Sequence, residues 1–212
     1  MGFYSGLDDT AEQAKCLIKL ASLFKSDEQL DAAEEAAFRV ASLTPMNRPL
    51  VCESHRVLGD IYRSKGEIEE AIHHYELARD IASSLNWHEP LISVHYSLAG
   101  LFYDEGRFED AHNHLEHTKS HAVNSSYRLG RATELQAWVW YQQHRLEEAR
   151  SEALCAIDIY EKLGVGKDVE DCKKLLREIQ KRSDSPVASG KSGLICKSLQ
   201  TVLLSAGINS SF

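Results

Sequence analysis

The chain has 212 residues, 43% of them apolar and 26% charged, with a net charge of −8 at neutral pH. That balance suits a globular protein of one domain or two small ones, with chain enough for a core. The acidic balance and the absence of a Lys/Arg block argue against nucleic acid or an anionic membrane as partner, and no apolar run reaches bilayer length.

The N-terminal stretch "MGFYSGLDDTAEQ" lacks the basic and apolar regions of a secretory leader. Gly6 stands where N-myristoylation needs Ser or Thr. Five cysteines (Cys16, Cys52, Cys155, Cys172, Cys196) form no CxxC pair. They read as reduced thiols, most of them buried, in a cytoplasmic protein. Within this stretch Tyr4 precedes Cys16 by the same interval as Tyr160 precedes Cys172. "FYSGL" therefore reads as the stump of a second helix whose repeat is missing, which leaves the first helix uncapped and open to a neighbour.

The rest of the chain repeats itself. "HRVLGDIYRSKGEIEEAIHHYELA" (55–78) and "HYSLAGLFYDEGRFEDAHNHLEHT" (95–118) align at an offset of 40. Leu58-Gly59, Tyr62, Gly66, Ile68 and Ala71 in one correspond to Leu98-Ala99, Phe102, Gly106, Phe108 and Ala111 in the other. A copy 38 residues upstream carries Leu20-Ala21, Phe24, Leu30 and Ala33, and one 38 residues downstream carries Ala137, Trp140, Leu146 and Ala149. Within each copy the apolar residues recur at threes and fours, the spacing of two helices separated by a break. Gly66 and Gly106 supply the break in the middle copies. Ser26 with Gln29 reads as a capping box opening the second helix of copy one, and Thr44-Pro45 ends that helix. Pro49 and Pro90 suit first turns of later helices. No stretch alternates with period two, so no sheet is expected.

After the copies, "DVEDCKKLLREIQKR" (168–182) forms an amphipathic helix whose stripe is Val169, Cys172, Leu175, Leu176 and Ile179. It suits a terminal cap over the last open face of a repeat array. Residues 183–212 turn Ser- and Gly-rich and read as a mostly disordered flexible tail.

The Leu–small pair, the aromatic three further on, the Ala twelve after the small residue, and Pro45 twelve after Ala33 resemble the tetratricopeptide repeat family. The resemblance covers roughly residues 10–165. Its departures are a period of 38–40 rather than 34 and Thr118 where Ala is usual. It implies an all-α solenoid of about four helix-turn-helix repeats, at about 14–47, 52–87, 92–124 and 130–164, with a cap helix over 168–182. A finer resemblance joins "LGDIYRSKGE", "NWHEPLISVHYSLAGLF" and "EDCKKLLREI" to repeat regions of fungal proteins in which a NACHT- or NB-ARC-type NTPase precedes the repeats. No such NTPase motif is present here, so the chain reads as a detached sensor region.

The repeat family implies a concave groove lined by the first helix of each repeat. Carried over by position, the groove residues are Lys25, Arg56, Asp60, Arg63, Tyr96, Tyr103, Arg131, Glu134, Trp138 and Tyr141. The family's chaperone-tail binders use a Lys and Asn clamp, which Ile18, Ser22 and Asp60 do not supply. Basic and aromatic side chains on one inner face of an acidic chain suit a protein or peptide ligand of acidic character.

Catalytic readings are weaker. "AHNHLEHTKSH" (111–121) holds four histidines, and His117 and His121 have the i,i+4 spacing of zinc ligands. No third ligand and no HExxH glutamate accompany them. His114, His117 and His121 are expected on a polar outer face. "SPVASGKSG" (185–193) puts Ser185 where a phosphate loop needs Gly, and "GVGKDV" lacks the third small residue of a dinucleotide loop. The expectation is a non-catalytic interaction module without cofactor or metal. The alternatives are a self-assembling fragment using its N-terminal helix and a histidine-based metal enzyme.

Overall fold

The computed structural model describes residues 3–122 and 126–184. Among them are nine helices and no strand: α1 (Phe3–Ser26), α2 (Leu30–Leu43), α3 (Arg48–Lys65), α4 (Ile68–Ser84), α5 (His88–Asp104), α6 (Phe108–His121), α7 (Ser126–Gln142), α8 (Leu146–Leu163) and α9 (Gly166–Ser183). The fold is the all-α repeat solenoid implied by the sequence. Each odd helix packs against the next even one as an antiparallel hairpin, and each hairpin packs against the next. The odd helices also touch one another in succession, α1 on α3, α3 on α5, α5 on α7 and α7 on α9. The even helices make no comparable contacts among themselves, so the odd helices form the inner row.

The hairpins close at the small residues. Ala21, Ala99 and Ala137 are fully buried, and Gly59 occupies the same place in the second repeat. A Cβ added at Gly59 would lie 2.6 Å from ring carbons of Tyr75, a side chain with no exposed surface. The counterparts of Tyr75 are Ala37, Leu115 and Ala153, so only the repeat with glycine carries an aromatic ring there. One apolar cluster runs unbroken from Ala21 on α1 to Val139 on α7. It is closed at the far end by Val169, Cys172, Leu175 and Ile179 of α9, the stripe read as a cap. Adding a methyl at Gly59 gains about 1 kcal/mol of helix propensity, but forcing a close-packed ring aside costs roughly 1–3 kcal/mol.

The break inside each hairpin is a single left-handed residue. Gly66 and Gly106 take φ of 78° and 70°, and their counterparts Glu28 and His144 take 60° and 62°. The middle repeats place glycine where an L side chain is strained; the outer repeats do not. The next backbone N–H then bonds back into the first helix, Glu67 N–H to the Tyr62 carbonyl at 2.9 Å and Arg107 N–H to the Phe102 carbonyl at 2.8 Å. The additional length over a shorter repeat goes into helix rather than loop: α3, α4, α5, α7 and α8 each run 17 or 18 residues.

Four local readings change. Ser26 does not cap α2: it lies within α1 and its hydroxyl bonds to the Ser22 carbonyl at 3.0 Å, while Gln29 at the helix start makes no side-chain cap. A helix that continues through Ser26 has no free N–H there for the hydroxyl to accept. Residues 3–7 are not the stump of a separate helix but the first turns of α1. Cys16 and Cys155 are exposed, and only Cys52 and Cys172 of the four described cysteines are buried. The histidines of α6 do not share a free outer face: His114 sits 2.9 Å from His95 of α5, Nδ1 to Nδ1, and the His117 ring stacks on His95. The α6 helix buries Ala111, Leu115 and Thr118, and the long side chains of His114 and His117 flanking that face reach His95 of α5. Cys196, the phosphate-loop-like "SPVASGKSG" and the residues read as a tail from Ser185 on lie outside the described residues.

Two substitutions separate these contributions. Gly59→Ala is expected to lower stability by about 1–2 kcal/mol in urea denaturation, because the ring of Tyr75 outweighs the propensity gain. Glu28→Gly is expected to raise it by about 0.5–1 kcal/mol through relief of the left-handed strain. A neutral Gly59→Ala, or a Glu28→Gly that destabilises, would contradict these assignments.

Candidate interaction groove

The inner row presents first helices side by side, so residues one or two turns apart on α1, α3, α5 and α7 converge. Two adjoining cavities lie on this face. The first, about 370 Å³, is lined by Lys25, Arg56, Asp60, Arg63, Ser93, Tyr96, Ser97, Arg128 and Arg131 together with Ile92 and Thr118. The second, about 420 Å³, is lined by Tyr96, Tyr127, Arg131, Glu134, Leu135, Trp138 and Asp168. Tyr96 and Arg131 stand between them.

Charge in the first cavity is organised around Asp60. Its Oδ2 accepts from Arg56 Nη1 at 2.9 Å and lies 3.8 Å from Lys25 Nζ; its Oδ1 accepts from the buried Tyr75 hydroxyl at 2.6 Å. Arg56 also donates to both oxygens of Glu53, at 2.6 and 3.0 Å. Burial disfavours the Arg56 cation, but the hydrogen bonds and charge of Glu53, with the charge of Asp60, outweigh it and hold its pKa above the usual arginine value. Burial, then the adjacent charge of Asp60, pushes the Tyr75 hydroxyl far up, so it stays a donor. Arg63 crosses to the next repeat and pairs with Asp104, its Nε donating at 2.9 Å. Arg128 pairs with Glu89 at 3.1 Å and donates to Ser93.

Arg131 differs. Its guanidinium lies over the Tyr96 ring, 4.7 Å from the centroid, and among the described residues no carboxylate lies within ion-pair distance of it. Five cations thus face the first cavity with one lining carboxylate. In the second cavity Glu134 accepts from the buried Tyr160 hydroxyl at 2.8 Å, and burial raises its pKa despite that bond.

Of the ten residues expected to line the groove, Lys25, Arg56, Asp60, Arg63, Tyr96, Arg131, Glu134 and Trp138 meet at these two cavities. Tyr103 and Tyr141 do not. The Tyr103 hydroxyl accepts from Gln142 at 3.2 Å, and Tyr141 is packed edge-on to Trp138 beneath the guanidinium of Arg182. Arg128 and Tyr127 escaped the sequence reading, although extending the three-residue spacing one turn toward the start of α7 reaches Arg128. Among the described residues no group of three or more His, Cys, Asp or Glu could hold a metal ion, and no helix is long and apolar enough to cross a membrane.

A stack of helix hairpins with a charged, aromatic inner face defines a helical-repeat interaction scaffold. The tetratricopeptide repeat family model matches residues 50–120, the two middle copies, and the chain carries that family's repeat fold. No curated protein matches. Among solved structures, BtubC (BKLC) from P. vanneervenii is similar at a TM-score of 0.71 and 13% identity over 100% of this chain and 95% of that one. A variant of the kinesin-light-chain-like repeat protein of Podospora anserina is similar at 0.66 and 17% over 89% and 92%. A Rap protein complexed with competence and sporulation factor is similar at 0.66 and 14%; the match covers 97% of this chain and 59% of that one. Repeats of this kind are generally non-catalytic modules.

Because Asp60 joins the donors of Arg56 and Tyr75 and pairs with Lys25, Asp60→Asn is expected to cost about 1–3 kcal/mol, the range for leaving buried hydrogen-bonded charges without their partner. Urea denaturation reads it. A change below about 0.5 kcal/mol would show that Arg56 and Tyr75 find other partners.

Proposed function

We propose that the chain is a non-catalytic scaffold whose inner face takes an acidic protein segment. The observation that carries this reading is the convergence of Lys25, Arg56, Arg63, Arg128 and Arg131 on one cavity in a chain of net charge −8, with no carboxylate among the described residues within ion-pair distance of Arg131. A guanidinium already held over an aromatic ring loses little freedom on gaining a carboxylate, and its planar fork suits two-point contact. Tyr96, Tyr127 and Trp138 offer the rigid apolar surface on which binding energy concentrates. The Rap protein complexed with competence and sporulation factor supports a partner-binding reading for this shape of chain.

A second reading has its own observation. Leu20, Leu23, Phe38 and Met46, on α1, α2 and the loop after it, are 40, 63, 43 and 93% exposed. That apolar end suits self-association through the N-terminal helix. A cytoplasmic setting and descent from a longer NTPase-linked sensor remain part of the proposal.

Fluorescence anisotropy with a panel of labelled 12-residue peptides, acidic, neutral and basic, tests the groove. Acidic peptides are expected to bind best and to weaken as salt rises. Arg131→Glu should weaken them roughly tenfold or more, the scale of one lost charged contact, with an unchanged far-UV spectrum. Equal binding of acidic and basic peptides, or an unaffected Arg131→Glu, would sink the reading. A concentration-dependent mass in sedimentation, abolished by Leu23→Glu, would move it to the second one.

A further inference from the structure

The two middle repeats carry the same three-ring assembly. In one, Nδ1 of His55 on α3 lies 3.0 Å from Nδ1 of His74 on α4, and the Tyr62 ring stacks on His74 at 5.2 Å and 2°. In the other, Nδ1 of His95 on α5 lies 2.9 Å from Nδ1 of His114 on α6, and the Phe102 ring stacks on His114 at 5.4 Å and 23°. All three positions are separated by the 40-residue repeat. The outer repeats do not have it: Leu17 with Ala36, and Thr133 with Glu152, stand in place of the histidines. So a ring–histidine–histidine stack joins first helix to second in each central hairpin and in neither outer one.

Two imidazole nitrogens this close must share one proton, so one ring donates and the other accepts. A first added proton keeps the hydrogen bond but buries a charge. A second leaves two N–H donors face to face. We infer that the two histidine pairs are acid-sensitive clasps, which hold α3 to α4 and α5 to α6 when neutral and release them when both rings of a pair are protonated.

The surroundings act in the same direction. Burial first, then the charges of His55 and His73, lowers His74 to about 4. Glu34 of α2 and Glu70 of α4 face it and oppose the shift. Burial and His73 lower His55. Burial, then His114 and His117 of α6, then Arg79 of α4 and His121, lowers His95 to about 4. Burial, His117 and Arg79 lower His114, against Asp110 of α6 and Glu76 of α4. A histidine whose folded pKa is depressed binds protons more readily once unfolded. Its stabilising effect is complete above the unfolded value near 6.5 and is lost as pH falls toward 4. The clasp stands independently of what the groove binds.

The test uses the whole chain labelled with 15N-histidine and long-range 1H–15N spectra from pH 7.5 to 4.5. The expected result is that in each pair one ring carries the proton on Nδ1 and the other on Nε2, with all four titrating below the ordinary histidine value. In urea denaturation the unfolding constant is expected to rise by at least about tenfold per pair from pH 7 to pH 5. A variant with His55→Asn, His74→Asn, His95→Asn and His114→Asn should lose most of that rise, whereas His144→Asn, outside both pairs, should keep it. Four rings titrating near 6.5, or a folded four-site variant with the wild-type pH dependence, would overturn the inference. So would stabilisation by Cu(II) or Zn(II) that a chelator reverses and the four-site variant loses, because the pairs would then be metal ligands. If the four-site variant does not fold, the wild-type ring titration decides alone.

Discussion

The structure depends on how closely the two helices of each hairpin approach at one small residue. Gly59 leaves room for the whole ring of Tyr75, and alanine at 21, 99 and 137 faces smaller partners. That approach sets the helix separation, and the separation sets where the next hairpin lands. Because every hairpin closes at the same register, the first helices fall into line and touch in succession. Arg56, Asp60 and Arg63 of one repeat then face Tyr96 and Arg131 of the next two. The groove is a by-product of packing that no residue in it enforces.

The electrostatics of the groove follow from that alignment. Arg63 reaches Asp104, and Arg128 reaches Glu89, each spanning from one repeat to the next. These pairs are partly exposed, and each contributes about 0–1 kcal/mol at most to stability. Their larger effect is positional: they fix long side chains around a cavity. Asp60 is different, because the hydroxyl of a fully buried tyrosine ends on it. It couples the wall of the groove to the core of the second repeat.

Much of this was legible in the chain itself. The repeat register follows from the Leu–small–aromatic–Gly–Ala spacing and names the small residues that close each hairpin, and the stripe of α9 follows from its own apolar spacing. Eight of the ten expected groove residues meet at the cavities because their positions depend only on helix periodicity. Tyr103 and Tyr141 left the set because long side chains turned to neighbours on adjacent helices, Gln142 and Arg182. The periodicity of one helix does not contain that choice. The histidine pairs were visible as the first and twentieth letters of both repeat strings, but reading α6 alone put its histidines on an open face. Only the pairing of α5 with α6 shows that His114 meets His95. The left-handed Glu28 and His144 were hidden for a similar reason: register, not residue type, imposes the turn there.

The inner helices touch one another down the row, and the outer ones do not. Mechanically, that makes the row of first helices a hinge line and the row of second helices an open fan. Each second helix also packs on the first helix of the next repeat, α2 on α3, α4 on α5 and α6 on α7, so opening the fan strains those seams. Small changes at each seam add along the array and alter the curvature of the inner face. A ligand spanning several repeats would act as a strut along the hinge line and fix that curvature.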